Sequence, residues 1–308
     1  METLATTELE LRRLIGPSLE THVALQDQLA FGVGGVADFF VDVHTLDELV
    51  RAVSAAQTTQ VPYLVIGQGS QVVISDYGFP GLIILNRADR IEFVANSGHV
   101  LVESGATWPK VILQAASGGL GGFESLLGLP GSIGGTLATR RLGPTGLAAH
   151  QALRSVTLLT RNGAINRYRS LSTRQSDEAT ILVASLQLIQ TRRDELLRRI
   201  RHFELERRRF SANSRRFLGP VFHSDFAGPD PSYLVNQFRR AKILDLRVAG
   251  AVFSAERPNY IEARGRVSAR AIRELTRLLY DRLSESGRAE SLSCQLSFVG
   301  SWGDEVES

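Results

Sequence analysis

Apolar runs along the first two thirds of the chain predict a series of short β-strands. HVLVES (99–104) alternates between apolar and polar residues as a half-buried strand does, whereas the other runs are nearly continuous, as in buried strands. Those other runs are DFFVDV (38–43), VPYLVIG (61–67), LIILN (82–86), SVTLLTRNG (155–163) and ATILVASLQLI (179–189). Thr45 and Glu48 have capping-box spacing ahead of Leu49 and predict a helix start. The pattern up to residue 190 therefore predicts a mixed α/β fold.

The pattern changes beyond residue 190. The stretch 191–216 is rich in arginine and predicts a boundary between two domains. After it, GPVFHS (219–224), RVAGAVFS (247–254) and SLSCQLSFVG (291–300) are short apolar runs, of which the last two predict strands. Ser268 precedes a helical pattern and is expected to cap that helix. Its apolar face is expected to contain Ala271, Ile272, Leu275, Leu278, Leu279 and Leu283.

Composition excludes several classes of protein. Apolar residues make up 43% and charged residues 22% of the 308 residues, which is typical of a globular chain. No apolar run approaches the ~20 residues that a membrane-spanning helix needs. The first residues, METLATTELELRRL, lack the apolar core of a signal peptide. Cys294 is the single cysteine, which excludes a disulfide framework and a multi-cysteine metal site, so we expect a cytoplasmic protein without a structural metal.

The formal net charge of +3 is unevenly distributed. From Arg192 to Arg216 there are ten arginines against four acidic residues. Leu196, Leu197, Ile200 and Phe203 form an apolar stripe at helical spacing in the same segment, which favours a solvated helix or linker. A nucleic-acid-binding arm is the alternative, but the segment contains no recognised reading motif. A protein partner could also bind the segment 192–216.

Two glycine-rich loops require an explanation beyond packing. Ile66–Gln71 (IGQGSQ) follows an apolar strand, and two glycines around one residue allow successive N–H groups to face an anion. Val72 stands where the dinucleotide fingerprint requires a third glycine, so an ordinary tight turn remains an alternative. The segment 128–135 (GLPGSIGG) has four glycines and a proline in eight residues, which favours close approach to a flat or anionic ligand over an irregular surface loop.

Three N-terminal blocks resemble, in order and spacing, the FAD domain of the UDP-N-acetylenolpyruvoylglucosamine reductases. They are FGVGGVADFFVDVHTLDELVRAV (31–53), LVIGQGSQVVISDYGFPGLII (64–84) and GLGGFESLLGLPGSIGG (119–135). GPVFHS (219–224), RVAGAVFSAERPNYI (247–261) and LSCQLSFVG (292–300) are similar to that family's substrate-domain blocks. The resemblance implies an α+β fold: a two-lobed FAD-binding domain of the vanillyl-alcohol-oxidase (PCMH) type and a smaller C-terminal α+β substrate domain.

The resemblance also implies a domain organisation and a reaction. It divides the chain into an N-terminal extension (1–24), an FAD-binding domain (25–190), an arginine-rich linker or helix (191–216) and a substrate-type domain (217–302). In the family, NADPH reduces FAD, and hydride then passes to an enolpyruvyl UDP-sugar to give UDP-N-acetylmuramate for peptidoglycan. The expected cofactor-binding residues are Gly67, Gln68, Gly69, Ser70, Gln71, Gly131, Ser132, Gly134 and Gly135. Neither glycine loop contains a histidine, so we expect the FAD to be non-covalent.

Several residues depart from the family at the positions that carry its chemistry. Hydride addition leaves an enolate-like intermediate that needs a proton and cationic stabilisation. The family's serine or cysteine proton donor corresponds to Pro220, which has no donor, and its second carboxylate corresponds to Gln295, which has no acidic proton. The family's arginine corresponds to Arg174 or, in another register, to Arg169; Arg174 is preferred.

The substrate-binding blocks also differ. The family's lysine and asparagine correspond to His223 and Ser224, and Asn259 is a further expected substrate contact. The family's substrate loop is replaced by ATRRLGPTG (138–146).

Three functions therefore remain open: a working or weakened reductase, a flavin-binding pseudoenzyme with a regulatory or partner-binding role, and a flavin oxidoreductase for another anionic substrate.

Overall fold

The computed structural model describes residues 2–29, 31–95, 97–128, 130–139, 149–211, 216–224, 236, 238–240, 242–285 and 292–302. In these residues three groups of elements each surround a hydrophobic core. Two of the groups form lobes with a cleft between them, and the third group contains the C-terminal strands.

The first lobe is a four-stranded sheet in the order β1-β2-β5-β3, covered by two helices. Its elements are α1 (Glu2–Ile15), β1 (Glu20–Ala24), β2 (Val36–Val43), α2 (Leu46–Thr58), β3 (Tyr63–Ile66), β4 (Val72–Ile74) and β5 (Phe79–Asn86). Strand β5 lies parallel to β2 and β3, whereas β1 is antiparallel to β2. Leu11 and Ile15 of α1 are buried in the same core as Leu49 and Val53 of α2.

The second lobe is a five-stranded antiparallel sheet in the order β10-β9-β11-β7-β6. Its strands are β6 (Ile91–Phe93), β7 (His99–Glu103), β9 (Leu153–Thr160), β10 (Ile165–Tyr168) and β11 (Ala179–Gln187), with the short pair β8 (Leu120–Gly121) and β12 (Ile189–Gln190). Its helices are α3 (Trp108–Ser117), α4 (Ile133–Ala138), α5 (Ala149–Ala152), α6 (Thr173–Glu178) and α7 (Arg193–Ser211). The core surrounds Trp108, whose indole donates to Thr136 Oγ1 at 2.9 Å.

The third group contains a four-stranded sheet in the order β13-β17-β16-β15, packed against helix α8. Its elements are β13 (Phe217–Leu218), β14 (Phe222–Ser224), β15 (Arg247–Val248), β16 (Ala251–Phe253), β17 (Ile261–Ala263), α8 (Ala269–Glu285), β18 (Leu292–Cys294) and β19 (Ser297–Val299). Strands β14 and β18 form a separate antiparallel pair. Leu275, Leu279 and Leu283 are fully buried on one face of α8, as the spacing predicts.

The third group is joined directly to the first lobe. Strand β19 pairs in parallel with β4, so that Ser297 is the register partner of Val72. Phe31, Val33 and Val73, all early in the chain, belong to the same core as α8. The C-terminal residues are therefore held on the first lobe by backbone hydrogen bonds as well as by apolar packing.

Most of the predicted strands are confirmed, and two C-terminal segments differ. The run 247–254 is a hairpin of β15 and β16, since Gly250 adopts a φ of +85° between them. The run 291–300 is two strands with different partners, β14 for the first and β4 for the second.

The arginine-rich segment is helical over Arg193–Ser211, and Leu196 and Ile200 enter the core of the second lobe. The proposed limits of the four domains remain a prediction. None of the described helices has the length and apolar character that a bilayer crossing requires.

Candidate functional site

The two glycine-rich loops lie side by side. One connects β3 to β4, and the other leads into α4, whose first turn contains Gly134 and Gly135. The side-chain oxygen of Gln68 accepts from the amide of Gly131 at 3.1 Å, and the hydroxyl of Ser70 donates to the carbonyl of Pro130 at 3.2 Å. Ser132 caps α4 by accepting from the amide of Gly135 at 3.2 Å. The loops are thus fastened to each other by side chains from the first loop.

Three of the glycines are required by close packing within this arrangement. A Cβ on Gly67 would collide with the hydroxyl of Ser132, and a Cβ on Gly134 would lie 2.9 Å from the Cβ of Ser104. Gly69 has a φ of +62°, and a Cβ there would lie 2.7 Å from Leu29. Gly67 therefore allows the first lobe to contact Ser132 of the second lobe, whereas Gly69 and Gly134 allow close packing within their own lobes.

A cleft of about 800 Å³ opens between the lobes at the two loops. Its lining comes from the end of α2, from β3, from both glycine loops, from the end of β5, and from the start of β11. A Cβ on Gly135 would meet only Ser132 Oγ, at 3.5 Å, so this glycine is not required by packing and its bare backbone borders the cleft. A volume of this size lies within the ~300–1,000 Å³ range of ligand pockets in proteins.

Polar groups are distributed along the cleft. Asn86 and Ser104 are buried there, and Asn86 Nδ2 donates to Ser104 Oγ at 2.9 Å while Asn86 Oδ1 accepts from the amide of Ala88 at 3.0 Å. Gln57 Nε2 donates to the hydroxyl of Tyr63 at 3.2 Å near another part of the lining. The cleft therefore presents hydrogen-bonding groups from both lobes to a ligand.

The nine expected cofactor-binding residues divide into groups with different positions. Gly67, Ser132, Gly134 and Gly135 line the cleft. Gln68, Ser70 and Gly131 join the two loops, and Gly69 supplies the left-handed turn. Gln71 reaches away from the cleft and donates through Nε2 to the carbonyl of Pro220 at 3.1 Å.

Pro220 and Gln295, the two positions expected to carry proton donors, are neighbours. The amide of Gln295 donates to the carbonyl of Val221, the residue after Pro220, at 2.7 Å. The side chain of Gln295 donates to Ser293 Oγ at 3.1 Å. The amide of Ser297 in turn donates to the carbonyl of Gln71 at 2.9 Å. Both segments therefore meet at the end of the first glycine loop.

The three expected substrate contacts lie beside this junction. The backbone of His223 and Ser224 belongs to β14, where His223 is the register partner of Ser293. Asn259 Oδ1 accepts from the amide of Phe222 at 2.9 Å, and Asn259 Nδ2 donates to the carbonyl of Phe222 at 2.8 Å. The Asn259 carboxamide therefore pairs with the backbone of β14 as a neighbouring strand would.

The expected catalytic arginine is not among the residues that line the cleft. Arg174 is in α6, its side chain is 84% exposed, and Nε lies 3.1 Å from Glu178, which borders the cleft. Arg169, the alternative, is exposed just after β10. Of the replacement loop 138–146, residues 140–146 lie outside the described residues.

Two features of the site were missed by reasoning from the sequence. Asn86 and Arg161 line the cleft but belong to neither glycine loop. Asn86 ends a buried apolar strand, and a polar residue at that position is a signal that could have identified it. Cys294 is exposed as a residue, but desolvation of its thiol by neighbouring groups raises the pKa of that thiol above the usual 9.0.

Comparisons with known proteins agree with this geometry. A family model described as an FAD binding domain matches residues 37–169. The chain is 25% identical to the UDP-N-acetylenolpyruvoylglucosamine reductase of Chlamydia felis over 285 residues, covering 88% of this chain and 91% of that protein. It is 28% identical to the enzyme of the same name from Carboxydothermus hydrogenoformans over 268 residues, covering 84% and 86% respectively.

A solved structure is similar over nearly the whole fold. The crystal structure of UDP-N-acetylenolpyruvylglucosamine reductase from Thermus caldophilus aligns with a TM-score of 0.68 and 26% identity, over 91% of this chain and 97% of that one. The expected fold class, a two-lobed FAD-binding domain of the PCMH type with a smaller C-terminal α+β part, is thereby confirmed.

Proposed function

We propose, from the similarity of its sequence and fold to the UDP-N-acetylenolpyruvoylglucosamine reductases, that this chain binds FAD non-covalently in the cleft between the lobes. We further propose that it is an NADPH-dependent reductase of an enolpyruvyl UDP-sugar whose proton-delivery step is weakened. The observation that best supports FAD binding is the cleft itself. It is lined by Gly67, Ser132, Gly134 and Gly135, which belong to two loops joined by a hydrogen bond.

The residues present fit a flat, diphosphate-bearing cofactor. Close packing of Gly67 and Gly134 brings bare backbone to the cleft wall, and the absence of a side chain at Gly135 leaves room that a Cβ would fill. Buried Asn86 and Ser104, one from each lobe, provide polar atoms in the same cleft. When bound, FAD supplies the hydride carrier between NADPH and the substrate.

The substrate side of the site is assigned to the junction of Gln71, Pro220 and Gln295. These residues are linked by hydrogen bonds from the first glycine loop to the C-terminal part, so the substrate is held next to the cofactor loop. Arg174 or, in the other register, Arg169 is the proposed cation that stabilises negative charge on the substrate, and Arg161, which lines the cleft, is a further candidate.

Proton delivery is the weakened step. Pro220 has no proton to donate, and the Gln295 carboxamide can orient a neighbour but cannot act as an acid. Loss of a general acid costs about 10²–10⁴ in rate. The proposed substitute proton donors are His223, Ser224, water and the hydroxyl of Ser293. The Ser293 hydroxyl accepts a hydrogen bond from the Gln295 side chain at 3.1 Å.

A second candidate function is that of a flavin-binding pseudoenzyme. The absence of a proton donor at Pro220 favours it. In that case the cleft retains FAD while a protein partner, rather than a UDP-sugar, is recognised. The helix α7 is the proposed contact, since Arg193 and Arg201 are exposed on it. This candidate predicts flavin binding and no turnover.

Absorbance spectroscopy of the purified protein tests the proposal in three steps. Flavin bands that are released by heat or acid establish non-covalent FAD, and a colourless protein that takes up no added FAD would remove the proposal. Bleaching by NADPH under anaerobic conditions tests the first half-reaction. Recovery of the oxidised bands on adding the enolpyruvyl UDP-sugar supports the reductase, whereas bleaching without recovery supports the pseudoenzyme.

A further inference from the structure

Gln71 occupies a junction between three segments that are distant in sequence. It ends the first glycine loop and is only 6% exposed. Its side-chain Nε2 donates to the carbonyl of Pro220 at 3.1 Å, and its backbone carbonyl accepts from the amide of Ser297 at 2.9 Å. One residue therefore contacts both segments in which the proton-donor positions lie.

The segment around Pro220 is held from two sides. Asn259 pairs with the backbone of Phe222 through both of its carboxamide atoms. Gln71 holds Pro220 from the side of the glycine loop. Proline has no N–H, so its carbonyl is the remaining backbone group through which this position can be fixed. A side-chain donor of the length of glutamine fulfils that requirement here.

The contacts of Gln71 differ from those of Gln68, three residues earlier in the same loop. Gln68 Oε1 accepts from Gly131 and so joins the two cofactor loops to each other. Gln71 joins the first loop to the C-terminal part of the chain. The loop thus carries two carboxamides with separate targets, which allows the two connections to be tested independently.

We propose that Gln71 is a positioning residue that fixes the Pro220–Phe222 segment, and through it Gln295, against the cofactor loop. The amide of Gln295 donates to Val221, so displacement of the first segment displaces the second. The consequence for the reaction rests on the proposed function, whereas the tether itself does not. The role requires the N–H of the Gln71 side chain and is lost when that donor is removed.

Hydrogen exchange followed by mass spectrometry tests the tether in the full-length protein. In Gln71→Leu, protection factors of the amides of Val221, Phe222 and Gln295 should fall about tenfold or more, because the segment opens locally. Gln68→Leu is the matched control and should leave these protection factors at their wild-type values while weakening FAD binding. Wild-type protection in Gln71→Leu would overturn the proposal.

Gln71→Glu provides a chemical rescue that a purely space-filling role would not show. The carboxylate of this variant cannot donate to the Pro220 carbonyl, but the protonated carboxyl can. Protection of Phe222, corrected for intrinsic exchange, should therefore be low at neutral pH and recover on acidification. Equal protection at both pH values would contradict the donor role. Because the comparison uses Gln71→Glu alone, it still decides the question if Gln71→Leu is too unstable to measure.

Stopped-flow absorbance connects the tether to the reaction. Gln71→Leu should slow recovery of the oxidised flavin bands by the enolpyruvyl substrate by a larger factor than it slows bleaching by NADPH. A defect in bleaching alone would contradict the substrate-side assignment. If wild-type protein binds no flavin, the proposed function fails, but the exchange experiment still decides whether Gln71 holds Pro220.

Discussion

The carboxylate of Asp76 accepts a hydrogen bond from the backbone amide of Ala269, 193 residues later in the chain, at 2.8 Å. Its other oxygen accepts from the amide of Arg270 at 2.9 Å. Asp76 follows β4 in the first lobe and caps the first turn of α8 together with Ser268, whose hydroxyl accepts from Ala271 at 3.1 Å. An acidic side chain at this end of a helix also interacts favourably with the helix dipole. The first lobe thereby helps to hold α8, and with it the third group of elements, in place.

Asp76→Ala should lower the free energy of unfolding by about 1 kcal/mol, the usual cost of losing an N-terminal helix cap. Asp76→Asn should cost less, because the amide oxygen still accepts a hydrogen bond. Urea unfolding followed by circular dichroism measures both. Asp281→Ala, which removes an exposed ion pair with Arg277, is the control and should change stability by less than about 0.5 kcal/mol. Equal effects of Asp76→Ala and Asp281→Ala would contradict the cap.

Gly135→Ala should separate cofactor binding from stability. A Cβ at Gly135 meets only Ser132 Oγ at 3.5 Å, and replacing glycine by alanine inside a helix favours folding by roughly 0.5–1 kcal/mol. The same methyl group would occupy the cleft that is assigned to FAD. Titration with FAD should therefore show weaker binding, while thermal unfolding of the protein without added FAD is unchanged or shifted upwards.

Gly163→Ala is the control for the measurement of FAD affinity in Gly135→Ala. Gly163 lies in an exposed turn with a φ of +78°, so alanine is strained there although no atom lies within 4 Å of the added Cβ. This variant should lose stability and keep its FAD affinity. Unchanged FAD affinity in Gly135→Ala would remove Gly135 from the cofactor site.

Local sequence patterns identified the elements that local interactions stabilise. Thr45 Oγ1 accepts from the amide of Glu48 at 3.2 Å, and Glu48 Oε2 accepts from the amide of Thr45 at 3.1 Å, as the capping-box spacing predicts. Ser268 was identified as a cap for the same reason. Asp76 could not be identified, because its partner amides belong to a helix that is distant in sequence.

The candidate site was predictable in part for similar reasons. The glycine loops stand out in the sequence because few other residues tolerate such turns, and both loops border the cleft. The separate tasks of Gln68 and Gln71 depend on contacts with Gly131 and Pro220, which only the fold brings near. Asn259 shows how the fold can give a polar side chain a structural contact. The sequence predicts that this side chain contacts the substrate, and in the structure it forms hydrogen bonds with the backbone of β14.

Glu48→Gln should show a pH-dependent loss of stability. Hydrogen bonds from the amide of His44 and then from Thr45 hold the pKa of the Glu48 carboxyl below its usual 4.5. Because the pKa is lower in the folded than in the unfolded state, the carboxylate contributes stability above pH 4.5, and the contribution is lost as the pH falls through the lowered value. Urea unfolding should show a difference of about 0.5 kcal/mol at pH 7 that disappears in acid. A difference that is constant with pH would contradict the charge-dependent capping.

Restoring proton donors at the junction should raise turnover if Pro220 and Gln295 limit it. Pro220→Ser introduces a hydroxyl, and Gln295→Glu introduces an acidic side chain next to it, since the amide of residue 295 donates to Val221 at 2.7 Å. The hydrogen bond from Gln71 goes to the carbonyl of residue 220 and remains available in the serine variant. A general acid contributes about 10²–10⁴ in rate, so the gain should be large enough to separate from variation between preparations.

The gain should appear in one half-reaction. Recovery of the oxidised flavin bands by the enolpyruvyl substrate should accelerate, and bleaching by NADPH should not, because protonation follows hydride transfer to the substrate. The double variant should exceed either single variant, since both groups act on one intermediate. The rescue remains incomplete if His223, Ser224 and the 138–146 loop also reduce substrate binding. Wild-type turnover at a rate normal for the family would refute a weakened site and would assign the proton to another donor, for which Ser293→Ala is the direct test.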